Sequence, residues 1–433
     1  MIEGKSLGII GDQAEALMLS VLFAEAKVPN FLVGNIEPLK ERRLSRSPLD
    51  EARWLLGIHA GTGMVEILED IDDLPFIETK NIVLASHFKG FPDASRERRI
   101  RTVARNMAKG SNLILTGLAR PGHTATISEM VHTHGGLRHG RDFHVSYLPL
   151  LWNGESLNAF RETPRIIAGA GEEVDMAVQE LFLNVFPSIS ATRRIRAAEA
   201  AGLFTPVYRD VVGALELELA RLCVGEGVDF RDALDLSRGL GLSSLTSPRS
   251  FPGRDSVGSE IMLSMSRVGA GPRLIRAARL VNEESNRQIV AMIKGALERC
   301  GHRLRHSKIA ILGLEGLGVN SRLSPDPPEI LETLKRRGAS LSVYAGNRST
   351  WSFNRDLGAS VRLELSVTKA VEKAQCAVIA MESLEDGELN PQKLASGMSH
   401  PAAVCDLTGV LEASNVERAG LLYASFGRGI LES

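Results

Sequence analysis

The sequence is short of cysteine, of net charge and of long apolar runs, and each shortage excludes a class of protein. Only 4 of its 433 residues are cysteine. Cys223, Cys300, Cys376 and Cys405 lie far apart and form no CxxC pair. That argues against a disulfide scaffold or a zinc knuckle and suits a reducing compartment. The 51 basic residues nearly cancel the 52 acidic ones, leaving a net charge of -1. Nothing in that balance draws the chain to nucleic acid or to an anionic membrane. The longest largely apolar run, Ala16 to Ala24, is bracketed by Glu15 and Glu25 and falls far short of a bilayer span. With no visible signal peptide, short-period repeat or low-complexity tract, a cytoplasmic globular protein is expected.

What is present is the composition of a soluble protein of two or three domains, 44% apolar and 24% charged over 433 residues. The first part alternates apolar runs with helical stretches: "SLGIIG", "NFLVGN", "NIVLAS" (Asn81–Ser86), "NLILTG", "FHVSYLP" and "RIIAG" read as strands. Continuous Val/Ile/Leu runs alternating with helices are the pattern of a parallel, doubly wound sheet. From about Thr192 the strand signals fade into long helical runs. In "VYRDVVGALELELARLC" the residues Val211, Leu215, Leu219 and Leu222 share a face at helical spacing, with Arg209, Glu216 and Arg221 left for water. The intervening "SSLTSPRSFPGRDSVGSE" reads as a loop. Alternation resumes with "SKIAILGLEGLG", "SLSVYAG", "CAVIAM", "AAVCDL" and "LLYASFG". The expected architecture is α/β: a Rossmann-like doubly wound sheet over residues 1–191, a helical region over 192–300 and a smaller Rossmann-like α/β domain over 301–433.

The stretch "LGIIGDQAEALMLSVLFAEA" has the outline of a dinucleotide-binding turn, yet only Gly11 of its three usual glycines is in place. Gln13 stands at the second position, where a glycine lets the backbone approach a pyrophosphate, and Ala16 stands at the third. Asp12 adds negative charge beside any phosphate but makes a good helix N-cap. Asn35, ending the second strand, replaces the acid that accepts ribose hydroxyls, and Ser86 ends the strand that follows. Gly11, Asp12, Gln13, Asn35 and Ser86 are the candidate cofactor contacts. The alternative is a plain strand-to-helix turn. Two arginine clusters, "KERRLSR" and "SRERRIRTVAR", read as solvated faces, with a phosphate contact as the alternative. The histidines of "HTHGGLRHGRDFH" (His132, His134, His139 and His144, with Asp142) fit no ordinary zinc spacing and read as surface.

Several strings occur in a shared order along nearly the whole chain: "ARPGHTATISEMV", "GRDFHVSYLP", "ESLNAFRETPRIIAGAGEE", "AAEAAGLFTPVYRDVVGALELELARLCVGEGVDF", "LIRAARLVNEESNRQIV", "KIAILGLEGLG" and "VERAGLLYASFGRG". Together they resemble the UDP-glucose/GDP-mannose dehydrogenase family of nucleotide-sugar dehydrogenases, most closely its UDP-N-acetylmannosamine branch. The resemblance implies an NAD-binding domain, a helical dimerisation core that makes a homodimer, and a nucleotide-sugar-binding domain. It also implies two successive oxidations of a sugar C6 alcohol with two NAD molecules. In that chemistry a cysteine thiolate traps the aldehyde, a lysine and an asparagine stabilise negative charge, and a glutamate assists thioester hydrolysis.

The chain departs from that set position by position. Leu150 stands at the glutamate, Gly202 at the lysine and Pro206 at the asparagine. "SVGSEIML" stands at the cysteine loop without a cysteine, and Ser259 could replace it only with a base supplied in space. In "GLEGLGVNSRLSP" Leu317 takes another lysine position, while Gly313, Gly316 and Arg322, together with Arg276 of the "LIRAARL" helix, are the candidate substrate contacts. No catalytic and no metal-ligating residue is assigned. The expected protein is a family homologue without C6 oxidation that binds a nucleotide or nucleotide-sugar, regulates, or runs another reaction. The resemblance implies NAD, which the altered turn argues against. The alternative is an active NAD-dependent UDP-sugar dehydrogenase with a divergent site.

Overall fold

The computed structural model describes residues 6–38, 48–85, 94–152, 155–169, 172–242, 245, 256–265, 271–313, 329–344, 361–380 and 389–428. They fall into two compact units: Met1–Val207 with Val257–Pro272, and Tyr208–Ser256 with Arg273–Ser433.

The first unit runs β1 (Leu7–Ile10), α1 (Ala14–Glu25), β2 (Asn30–Val33), α2 (Pro48–Gly61), β3 (Val65–Leu68), β4 (Asn81–Leu84), α3 (Ala94–Asn106), β5 (Ser111–Leu115), α4 (His123–Gly135), β6 (Phe143–Tyr147), α5 (Leu157–Glu162), β7 (Arg165–Gly169), α6 (Glu172–Leu183) and β8 (Ile189–Thr192). Its sheet has the order β3-β2-β1-β4-β5-β6-β7-β8, parallel throughout except where β7 meets β6. The order reverses between β1 and β4, and ligands of doubly wound sheets bind at the carboxyl ends flanking such a reversal. β1 and β2 are buried on both faces, as their unbroken apolar runs require. Arg165 is buried at the start of β7, its guanidinium over the rings of Phe160 and Phe186 at 4.5 and 5.0 Å. Burial pulls it down to about 10, partly offset by Glu155 and Glu15.

α7 (Ile195–Gly225) leaves the first unit and enters the second. α8 (Phe230–Gly239), α9 (Ser256–Ser264) and α10 (Arg273–Arg299) follow. α9 corrects the loop expectation: the chain is already helical from Ser256, so "SVGSEIML" lies on a helix. The remaining elements are β9 (Lys308–Leu312), α11 (Glu329–Arg336), β10 (Ser340–Tyr344), β11 (Val361–Glu364), α12 (Val367–Val371), β12 (Cys376–Ile379), α13 (Pro391–Gly397), β13 (Ala403–Asp406), α14 (Ala413–Arg418) and β14 (Leu422–Ser425). They build a six-stranded parallel sheet of order β11-β10-β9-β12-β13-β14, which repeats the first reversal.

Within the second unit α7 does not bury the face expected of it. Asp210, Ala214, Leu217 and Ala220 form the buried row, Glu216 is buried beside it, and Leu215 and Leu222 are 47% and 63% exposed. The reason is local packing: Ala220 meets Phe230 and Leu234 of α8. Asp210 accepts from Asn282 Nδ2 at 2.7 Å and pairs with Arg279 at 3.1 Å. This buried row and one buried ion pair set how α10 lies on α7, and Leu215 and Leu222 face outward.

The cysteines are free thiols. Cys376 and Cys405 stand on neighbouring strands with sulfurs 3.7 Å apart, and Cys300 joins the same core. The hydrogen bond shared with Cys405, then burial, raises the Cys376 thiol, and burial raises that of Cys300. In the unfolded chain these thiols ionise above about pH 8.5, while in the fold they stay protonated, so stability falls as pH climbs past that value. Ellman's reagent is accordingly expected to modify Cys223 rapidly in the native protein, and Cys300, Cys376 and Cys405 only on unfolding.

Candidate functional site

At the first reversal, Gly11 donates its N–H to Val33 O at 3.0 Å. A Cβ on Gly11 would lie 2.3 Å from Ala85 O, and one on Gly34 would lie 2.5 Å from Gly11 O. Both positions require glycine because the turn, β2 and β4 converge there. Ala16 is fully buried, as expected for the third position of the turn. Asp12 is not the helix cap. Gln13 is the N-cap residue, in extended backbone, and makes no side-chain capping bond. The Asp12 carboxylate turns to the end of β2: Oδ1 accepts from Asn35 N at 3.0 Å, and Oδ2 is bound by the guanidinium of Arg99 on α3. A full opposite charge outcompetes the partial charge of a helix start. Arg99 comes from one of the two arginine clusters, so part of that solvated face is an ion pair at the turn. Asn35 is exposed and Gln13 half-buried. Ser86 lies outside the described residues.

A second convergence in this unit gathers β5, β6, α4, α7 and α9. Glu199, fully buried on α7, accepts from Thr124 N and Thr124 Oγ1, both at 2.6 Å, and from Gly122 N. It thereby caps α4 from another element. Burial and then the charge of Glu199 raise the Tyr147 phenol above its ordinary value. One turn along α7, a Cβ on Gly202 would lie 2.9 Å from Tyr147 Oη and 3.0 Å from Pro149 Cβ. Leu150 is fully buried, its N–H on Thr116 O at 2.8 Å. A Cβ on Gly258 would lie 2.8 Å from Pro206 Cγ, which seats α9 on α7, and Ser259 beside it is fully buried. Around these contacts Leu118, Leu203 and Ile261 form an apolar cluster with Leu151, Val257 and Met262. The four positions singled out by the resemblance are thus neighbours in space, beside this apolar cluster on one side and Tyr147 Oη on the other. Sequence reasoning missed Glu199 and the reach of Arg99.

In the second unit Gly313 ends β9 at φ +91°, its N–H on Tyr344 O at 2.7 Å, a close turn that suits glycine. Arg276 is exposed on α10. Gly316 and Arg322 lie outside the described residues. At the end of β13, Asp406 is buried and accepts from the N–H groups of Thr408, Gly409 and Leu411 at 3.1, 2.7 and 2.8 Å. His132 and His134 end α4 and His144 lies in β6. Among the described residues no three histidine, cysteine or acidic side chains gather as metal ligands, and no helix is long and apolar enough to cross a membrane.

No family model matches the chain. It is 25% identical over 374 residues, 85% of each chain, to the UDP-N-acetyl-D-mannosamine dehydrogenase of Pyrococcus horikoshii. A solved structure of a UDP-D-ManNAc dehydrogenase from that organism superposes with a TM-score of 0.76 at 22% identity, covering 98% of this chain and 100% of that one. A UDP-glucose dehydrogenase from Pyrobaculum islandicum gives 0.73 at 18% identity, covering 99% of each. With two Rossmann-like units and a sequence likeness that spans most of both chains, the protein is similar in sequence and in fold to the nucleotide-sugar dehydrogenases.

Proposed function

We propose that this chain keeps the family frame as a ligand-binding or regulatory protein and does not oxidise the C6 alcohol of a nucleotide-sugar. The observation that carries this reading is the packing around Gly202, Pro206, Leu150 and Ser259. Oxidation to an acid needs a nucleophile for the aldehyde and donors for developing negative charge. Here Gly202 faces Tyr147 Oη and Pro149 at contact distance, Pro206 faces Gly258, and Ser259 is sealed within the unit. The first reversal also does not fit the usual grip on NAD. Gln13 brings a side chain to the pyrophosphate approach, and Asn35 offers no acid to the ribose. A coupled assay of the purified protein with NAD and UDP-N-acetylmannosamine tests the reading. NADH at the level of the no-enzyme control is expected, and robust NADH production overturns it.

The chain acts as a homodimer through its long helices, and the outward apolar row supports this. Tyr208, Leu215 and Leu222 recur every seventh residue of α7, at 59%, 47% and 63% exposure. Nearby, an open cavity of about 470 Å³ lined by Leu217, Val224, Met292 and Phe426 extends the apolar surface. Large exposed apolar faces of this kind mark association surfaces. The paired substitution Leu215→Glu, Leu222→Glu is expected to convert a dimer to a monomer in light scattering, with the fold retained. A wild-type monomer, or a dimer indifferent to the substitutions, contradicts the assignment. Free thiols at Cys376 and Cys405, within 3.7 Å, support a reducing, cytoplasmic setting.

A further inference from the structure

The carboxyl end of the second strand in a Rossmann-type unit faces the ribose of a bound nucleotide. An acid there accepts the ribose hydroxyls, whereas a nearby guanidinium accommodates a ribose phosphate. In this chain the acid is gone, since Asn35 holds the position and is exposed. A guanidinium is present instead. One carboxylate ties it to the strand end: Asp12 Oδ1 takes the Asn35 N–H at 3.0 Å, and Asp12 Oδ2 holds Arg99. Gly34 makes the corner this tight, because a Cβ there would stand 2.8 Å from Asp12 Oδ1. The Arg99 side chain is 27% exposed, so the pair opens to solvent. A guanidinium has five N–H donors, more than a single carboxylate oxygen takes up. Asp12 and Arg99 also cancel in charge, whereas an acid at position 35 would make the corner negative and repel a phosphate.

We propose that this corner receives a nucleotide carrying a phosphate on its ribose, with Arg99 as the phosphate-binding residue and Asp12 as the carboxylate that occupies Arg99 until the phosphate replaces it. On binding, Arg99 gives up its Asp12 oxygen for two phosphate oxygens, the bidentate geometry that guanidinium and phosphate share. Asp12 keeps the Asn35 N–H. The inference rests on the reading above that the family frame still holds a ligand, and it names the chemistry that ligand carries at the first unit.

Isothermal titration of the full chain with adenosine 2′,5′-bisphosphate and with 5′-AMP, which differ by one ribose phosphate, tests it. The bisphosphate is expected to bind about tenfold tighter, as one added charge-assisted contact implies. In Arg99→Met the two ligands should bind equally. Asp12→Asn keeps an acceptor for Asn35 and releases Arg99, so the preference should widen, more so at low salt. Circular dichroism establishes that both variants fold, as the partly exposed pair allows. Equal affinities in the wild type, binding of neither nucleotide, or a preference that survives Arg99→Met overturns the inference. None of these outcomes bears on NADH production, which decides the absence of C6 oxidation separately.

Discussion

Replacing Glu199 by alanine is expected to destabilise the first unit by about 4 kcal/mol, enough to leave a mesophilic domain close to unfolding. The carboxylate is fully buried and satisfies two backbone N–H groups and one hydroxyl at the start of α4. Truncation leaves the buried Thr124 donors and the half-buried Gly122 N–H without this acceptor, at about 1–3 kcal/mol for each buried one. Glu199→Gln should be milder, because its carbonyl oxygen still accepts from Thr124 while its NH2 opposes the remaining donor. Thermal melts of the three proteins check the order wild type, Gln, Ala. Equal melting temperatures for wild type and Glu199→Ala would show that α4 is capped by other means.

Gly202→Lys, which restores the residue type the resemblance places there, is expected to lower stability by about 2 kcal/mol and to bring back no NADH formation. The Cβ alone meets Tyr147 Oη at 2.9 Å and Pro149 Cβ at 3.0 Å. Gly202→Ala should come out near neutral, since the helix gains about 1 kcal/mol from losing a glycine while the contact opposes it. A lysine gains a similar helix propensity, but its longer chain adds atoms that must be placed against Tyr147 and Pro149. Urea titration measures the stability and the coupled assay measures the activity. Under the proposed function several positions depart together, so no single substitution is expected to yield NADH.

The strands legible in the sequence are those buried along an unbroken apolar run, such as "LGII", "CAVI" and "AVCD". The three that escaped, "VEIL", "ISAT" and "VRLE", are β3, β8 and β11, and each lies at the edge of its sheet. An edge strand buries less, so its composition drifts toward that of a loop. α9 escaped because "SVGSE" follows a Ser/Pro/Gly-rich stretch and carries no amphipathic stripe. The outward row of α7 reads as inward in the sequence because periodicity finds an apolar face without saying which of two the helix buries.

The candidate site was legible as a set of unusual residue types at Leu150, Gly202, Pro206 and Asn35. Their partners were not. Glu199 sits in "AAEAAG", which resembles any helix, and only the fold carries its carboxylate to the start of α4, more than 70 residues back in the chain. Asp12 reads as a helix cap in the sequence for the same reason, since Arg99 stands 87 residues away.

The most direct test of the account is a stoichiometric incubation of the protein with UDP-N-acetylmannosamine and NAD, with the sugar nucleotide followed by mass spectrometry. Matching protein to substrate reveals even a single turnover. The substrate is expected to be recovered unchanged, with neither the aldehyde nor the acid formed. Accumulation of the uronate, abolished by substituting Ser259 or any cysteine, would contradict it.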